Sequence, residues 1–204
     1  MSSPGSVHSP SSAAAGTHLR GDETTVKVVV AGHLGAGKTT LVHTLSQITP
    51  LSTEEYMTAA SVGTDNLDHL PDKRTTTVAM DFGRVSLSRD LVMYLFGAPG
   101  QKRFWPLLAD LAKGAMAALV LVDTRCLADS YPIIGMLEDL ALPYAVAVNR
   151  FDGAPIYQAR QLREAMDLAP RTPLVVCDAR DRASARNALI NLTEYLLTLP
   201  ETAA

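Results

Sequence analysis

The sequence predicts an α/β fold in three layers: a six-stranded, mostly parallel sheet with one antiparallel edge strand, and helices on both faces. Three observations predict it. Apolar, β-branched runs alternate with segments of helical spacing. The later runs, 115–122 and 144–148, are apolar throughout, as strands covered on both faces require. A glycine-rich turn joins the first run to the first helix.

The elements follow in order. Residues 1–24 are rich in Ser, Ala, Pro and Gly and are expected to be a disordered tail, leaving one domain over 25–200. A strand at 26–31 leads through the glycine turn into a helix beginning near Thr40. A long polar connection, 48–77, holds Pro50, Gly63, Pro71 and the charged run Asp72-Lys73-Arg74; a loop of that length is usually functional. Strands at 76–87 and 91–96 form an antiparallel hairpin turned at Ser88-Arg89-Asp90. Helices are expected up to 113, over 127–140, over 156–167 and over 182–199, and the remaining strand over 174–177.

Composition narrows the function. Of 204 residues, 47% are hydrophobic and 19% charged, which is globular, and the formal net charge of −3 supplies no basic surface for nucleic acid. Cys126 and Cys177, both in contexts that read as buried, are too few for a disulfide framework. No apolar run approaches the roughly 18 residues of a membrane span, and no secretory or lipidation signal is visible. A cytoplasmic protein is expected, with any membrane recruitment through a partner.

The chemistry starts at Gly32-His33-Leu34-Gly35-Ala36-Gly37-Lys38-Thr39. Strand, glycine loop and helix are the context of a phosphate-binding loop. Gly32, Gly35 and Gly37 permit positive φ and close approach of the backbone to a phosphate. The N–H groups from Gly35 through Ala36 to Thr40 then form an anion nest at a helix N-terminus. Lys38 is placed to meet the outer phosphates and the Thr39 hydroxyl to ligate Mg²⁺. After a core strand, Asn149-Arg150-Phe151-Asp152 sets a carboxylate where guanine offers two donors; adenine leaves that carboxylate unpaired, a loss of about 1–3 kcal/mol. Asn149 is expected to tie this loop to the glycine loop.

On these residues the chain resembles the Ras-like small GTPases, over about 25–200. Gly32 to Thr39 matches the first motif, and Asn149 to Asp152 matches asparagine–lysine–x–aspartate with Arg150 in place of lysine. Asp178-Ala179-Arg180 is similar to serine–alanine–lysine, which implies an Ala179 N–H facing the guanine oxygen. Thr77 is similar to the switch I threonine, and Pro99-Gly100-Gln101 to the end of switch II. The resemblance implies a P-loop G domain, GTP and GDP as substrate and product, Mg²⁺ as cofactor, Gly100 on the γ-phosphate and Gln101 positioning the attacking water.

The departures are informative. Gly97 stands where Ras proteins carry the aspartate that opens switch II, and Asp81 is the best replacement carboxylate for the metal shell. Leu34 replaces a glycine and is expected to crowd an arginine finger from a partner. Leu-Phe-Gly-Ala-Pro-Gly-Gln, residues 95–101, and Thr-Thr-Val-Ala-Met-Asp-Phe-Gly, residues 76–83, resemble the bacterial MglA-type GTPases, closest to the actinobacterial conservon-encoded (CvnD-like) group. That resemblance implies a Roadblock/LC7-type regulatory partner and a signalling role. Two other readings are a nucleotide-binding scaffold with little hydrolysis, favoured by Gly97, Leu34 and Pro99, and a small-molecule kinase, disfavoured by Asn149 with Asp152.

Overall fold

The computed structural model describes residues 21–51, 54–56, 75–77 and 80–200. Its strands are β1 (Thr24–Ala31), β2 (Glu54–Tyr56), β3 (Thr75–Thr77), β4 (Asp81–Ser86), β5 (Leu91–Gly97), β6 (Ala117–Val122), β7 (Tyr144–Asn149) and β8 (Leu174–Cys177). The helices are α1 (Lys38–Leu45), α2 (Trp105–Ala112), α3 (Tyr131–Asp139), α4 (Ala159–Ala165) and α5 (Arg182–Thr198). Six strands form one sheet in the order β4-β5-β1-β6-β7-β8, parallel except for the edge pair β4–β5. The predicted sheet is observed.

Period-two alternation splits the core. Val28 and Val30 of β1 and Leu119 and Leu121 of β6 face Leu41, Val42 and Leu45 of α1 and Leu189 and Leu192 of α5. Their neighbours Val29, Ala31, Val120 and Val122 face Leu108 of α2, Ile133 and Leu137 of α3 and Leu162 of α4. Every residue of β6 and β7 is buried, which is why those runs carry no polar alternation.

Several boundaries depart from expectation for local reasons. The segment expected as one strand, 76–87, is two: β3 pairs with β2 in a separate antiparallel sheet, and β4 begins at Asp81. β1 extends back to Thr24, which pairs with Leu91, so the expected tail ends at least one residue earlier. The rest of that tail, to residue 20, lies outside the described residues, as does most of the 48–77 connection with Lys73 and Arg74. The expected helix over 127–140 opens with a 3₁₀ turn at Leu127–Ser130 and becomes α-helical at Tyr131, beside Pro132, whose fixed φ suits a first helical turn. The 156–167 helix contracts to α4, because the Gln158 N–H donates to Gln161 Oε1 (2.9 Å) and closes the N-terminus there.

Candidate functional site

Strand order reverses around β1, which is flanked by β5 and β6, and the site lies at the carboxyl ends of β1, β6, β7 and β8, where open α/β sheets place their ligands. Gly32, Gly35 and Gly37 all have positive φ, at 145°, 82° and 100°. Space matters as much as torsion. A Cβ on Gly32 would stand 2.5 Å from the Leu121 carbonyl oxygen, and one on Gly37 would collide with Asn149 Nδ2. The loop ends on the first turn of α1, where Leu41 N–H donates to Gly37 O (2.9 Å). The Ala36 N–H closes an inner turn onto His33 O (3.2 Å), and Thr40 lies exposed at the helix start. Lys38, buried, donates from Nζ to His33 O at 2.7 Å.

Asn149 closes the site. Its Nδ2 donates to Ala36 O (2.9 Å) and its Oδ1 accepts from Ala179 N (2.9 Å), so one buried side chain holds the glycine loop, the end of β7 and the loop after β8 together. Each of the two bonds crosses between elements far apart in sequence, and a buried amide left without them costs about 1–3 kcal/mol. The Ala179 N–H, expected to face the base, serves Asn149 in this structure.

Asp152 is placed differently from Asn149. Its side chain is 95% exposed, with Arg180 Nη1 at 3.6 Å from Oδ2. Arg180 also grips Asp178 through Nε and Nη2, at 3.0 Å each, and holds the Asp178 carboxyl below the usual carboxylate range. Arg150 is exposed. A cleft of about 660 Å³ opens along Asn149, Arg150, Phe151, Asp152, Asp178 and Arg180, a volume that suits a nucleoside-sized ligand.

On the other flank, Thr39 Oγ1 donates to Asp81 Oδ2 at 2.6 Å. Asp81 is 1% exposed and is paired in register with Gly97 across β4–β5. A Cβ on Gly97 would lie 2.9 Å from Asp81 Cβ and 3.0 Å from Oδ2. The glycine in β5 is therefore what makes room for the carboxylate from β4. Asp81 Oδ1 has no hydrogen-bond partner among the described residues, and His43 Nε2 stands 3.8 Å away. A buried carboxylate oxygen without a partner, beside a hydroxyl, is a donor set for a hard cation such as Mg²⁺.

The segment after β5 leans on the glycine loop: a Cβ on Gly100 would come within 2.5 Å of Leu34 N and 2.6 Å of His33 C. Gln101, expected to position the attacking water, is completely buried. Its Oε1 accepts from Arg103 Nε (3.0 Å), and its Nε2 has no partner among the described residues. Phe104 and Trp105 are half-buried, with Trp105 Nε1 enclosed. Thr77 is on β3; the expectation for its side chain lies outside what is described. Cys126 is half-exposed rather than buried, and both cysteines are free.

Sequence reasoning missed three neighbours. His43 faces Asp81 one turn into α1 from Thr39, a spacing that marks the same helix face. Asp123, at the end of β6, is buried and doubly bonded to Arg125, whose guanidinium lies 4.0 Å over the Phe151 ring. His33 packs against Cys126, a contact spanning 93 residues that no local pattern reveals.

Comparison with known proteins fits this geometry. A family model described as a conserved hypothetical ATP binding protein matches residues 30–199. The chain belongs to that family. It is 34% identical over 130 residues to an uncharacterized protein, MJ1339, of Methanocaldococcus jannaschii, covering 62% of this chain and 71% of that one. Among solved structures, the Arl6 BBS3 small GTPase of Trypanosoma brucei with a bound nucleotide analogue, GppNp, superposes with a TM-score of 0.61 at 20% identity, over 85% of this chain and 98% of its own. Translation elongation factor SelB of Methanococcus maripaludis, in complex with the GTP analogue GppNHp, superposes with a TM-score of 0.58 at 17% identity, over 91% of this chain and 36% of its own. At those identities the likeness is one of fold: a P-loop GTPase fold. Among the described residues no helix is long and apolar enough to cross a membrane.

Proposed function

We propose that the chain binds a guanine nucleotide between the glycine loop and the loops after β7 and β8, hydrolyses GTP slowly, and uses loss of the γ-phosphate as a switch. The observation that supports this most is the Asn149 side chain bonded at once to Ala36 and to the Ala179 amide. It makes a phosphate cradle and a base-binding edge parts of one site. The family description names ATP. The exposed carboxylate of Asp152 favours guanine, whose N1–H and exocyclic amine it can accept together.

In this reading the amides of Gly35 to Thr40 and the N-terminus of α1 hold the phosphates. Lys38 leaves the His33 carbonyl for the outer phosphates, exchanging a neutral acceptor for a charged one. Thr39 and Asp81 would hold Mg²⁺, with Thr77 completing the set. Held there by Thr39 and Asp81, such an ion would supply positive charge beside the bound phosphates. Gly100 contributes its N–H to the γ-phosphate from its seat against Leu34. Arg180 contacts both Asp178 (3.0 Å) and Asp152 (3.6 Å), and on base binding it would keep the closer Asp178 and leave Asp152 to the base.

Gln101 must emerge from its pocket to orient a water, which makes the hydrolytic state a rearranged one. A rate on the order of 10⁻⁴ to 10⁻³ s⁻¹ follows when no arginine is supplied. The full burial of Gln101 also favours a second reading, a nucleotide-binding scaffold with little turnover. Single-turnover hydrolysis separates the two. The finer placement with MglA-type GTPases, a Roadblock/LC7-type partner and a signalling role rest on the 76–83 and 95–101 segments of the sequence and belong to the same proposal.

Asp152→Asn tests the site. It exchanges an acceptor for a donor at the base edge, so GTP affinity should fall at least about tenfold while xanthosine triphosphate, with a carbonyl there, gains. Unchanged GTP affinity in a folded variant would remove Asp152 from the site.

A further inference from the structure

We propose that His33, Cys126 and Asp123 form a binding site for a thiophilic divalent cation, of which Zn²⁺ fits best, built from residues that the Thr39–Asp81 pair does not use. The topology brings the three together. β1 and β6 are adjacent and parallel, with Ala31 paired to Val120, so the turn after each strand ends at the same edge. His33 comes from the glycine loop. Asp123 and Cys126 come from a single turn closed by Cys126 N donating to Asp123 O (3.1 Å). One donor atom from each lies within 4.8 Å of the others. A tetrahedral ion with bonds of about 2.0–2.3 Å sets its donors about 3.3–3.8 Å apart, so closure onto a metal draws the donor atoms together by about 1 Å, within reach of side-chain rotation.

The hydrogen bonds decide which atoms face the ion. His33 Nδ1 lies 2.6 Å from Leu34 O, and a carbonyl only accepts, so Nδ1 carries the proton. The lone pair is then on Nε2, which stands 3.4 Å from Cys126 Sγ. A ring nitrogen tied to a backbone carbonyl is the usual way a metal-binding histidine is oriented. Burial and the nearby Lys38 hold the imidazolium form down, which keeps that lone pair available. The Asp123 carboxylate is oriented in turn by the Arg125 backbone N–H (2.8 Å) and guanidinium (2.6 Å).

The donor set of nitrogen, sulfur and oxygen selects zinc over magnesium. Arg125 already offsets the Asp123 carboxylate, so the thiolate left when binding releases the Cys126 proton to solvent supplies the charge that draws the cation. Cys126 is half-buried, which leaves an entry path, and a water would complete the four-coordinate set. Because Lys38 rests on the His33 carbonyl, an ion on this ring acts directly on the phosphate loop.

The test uses the full chain, stripped of metal and with no nucleotide added, titrated with Co²⁺. The expected result is one equivalent bound, with a thiolate-to-cobalt charge-transfer band, an intense four-coordinate visible spectrum, and displacement by Zn²⁺. Cys126→Ser should abolish the charge-transfer band, His33→Gln should weaken binding at least about tenfold, and Cys177→Ser should leave both unchanged. Circular dichroism establishes that each variant is folded. Absence of the band in the parent protein, or its survival in Cys126→Ser, would overturn the site.

Discussion

Asp81 and Gly97 face one another across β4–β5 and share one space. In the proposed metal site, the carboxylate that a Ras-like chain carries at the end of β5 would come from Asp81 on the neighbouring strand, with Gly97 leaving room for it. The consequence is measurable. In Gly97→Ala the new methyl meets Asp81 Cβ and Oδ2, so the carboxylate must move or the strands must part, at about 1–3 kcal/mol. Urea denaturation should register that loss, and the Mg²⁺ needed for half-maximal nucleotide binding should rise about tenfold. A variant with unchanged stability and Mg²⁺ requirement would show that Gly97 does not govern Asp81. The sequence offered Asp81 as a replacement carboxylate; its burial and its register opposite Gly97 were not legible there, since both depend on the pairing of β4 with β5.

At the scale of elements, the segment proposed to switch is the stretch from Gly97 to α2. Gly100 rests on Leu34, Gln101 is enclosed, Arg103 holds Gln101 and lies 4.7 Å over the Phe104 ring, and Trp105 starts the helix half-buried. Gln101 Nε2 and Trp105 Nε1 are buried polar atoms without partners among the described residues, and such atoms are worth about 1–3 kcal/mol each once satisfied. An element carrying that deficit gains from rearranging when a γ-phosphate offers Gly100 a new acceptor. Exchange of GDP for a non-hydrolysable GTP analogue should therefore change the fluorescence of Trp105, the single tryptophan. An unchanged spectrum with the analogue demonstrably bound would place switching elsewhere.

For the whole molecule, the glycine loop, the six strands and the Asn149 tie were legible because each is carried by local chemistry or by a period. Positive φ needs glycine at Gly35 and Gly37, and buried parallel strands need unbroken apolar runs. The β2–β3 pair was not legible, since Glu54–Tyr56 and Thr75–Thr77 are three residues each, too short to show a period. The burial of Gln101 and the meeting of His33 with Cys126 depend on the ends of separate strands converging, which no window of sequence contains.

The account stands on one site joining a phosphate cradle to a guanine-reading edge through Asn149. Competition of unlabelled GTP and ATP against a fluorescent GDP on the purified chain, with Mg²⁺ present, measures this directly. GTP is expected to displace the probe at concentrations at least about a hundredfold below ATP, because adenine leaves the Asp152 carboxylate unpaired. Equal displacement by the two nucleotides, or preference for ATP, would contradict it.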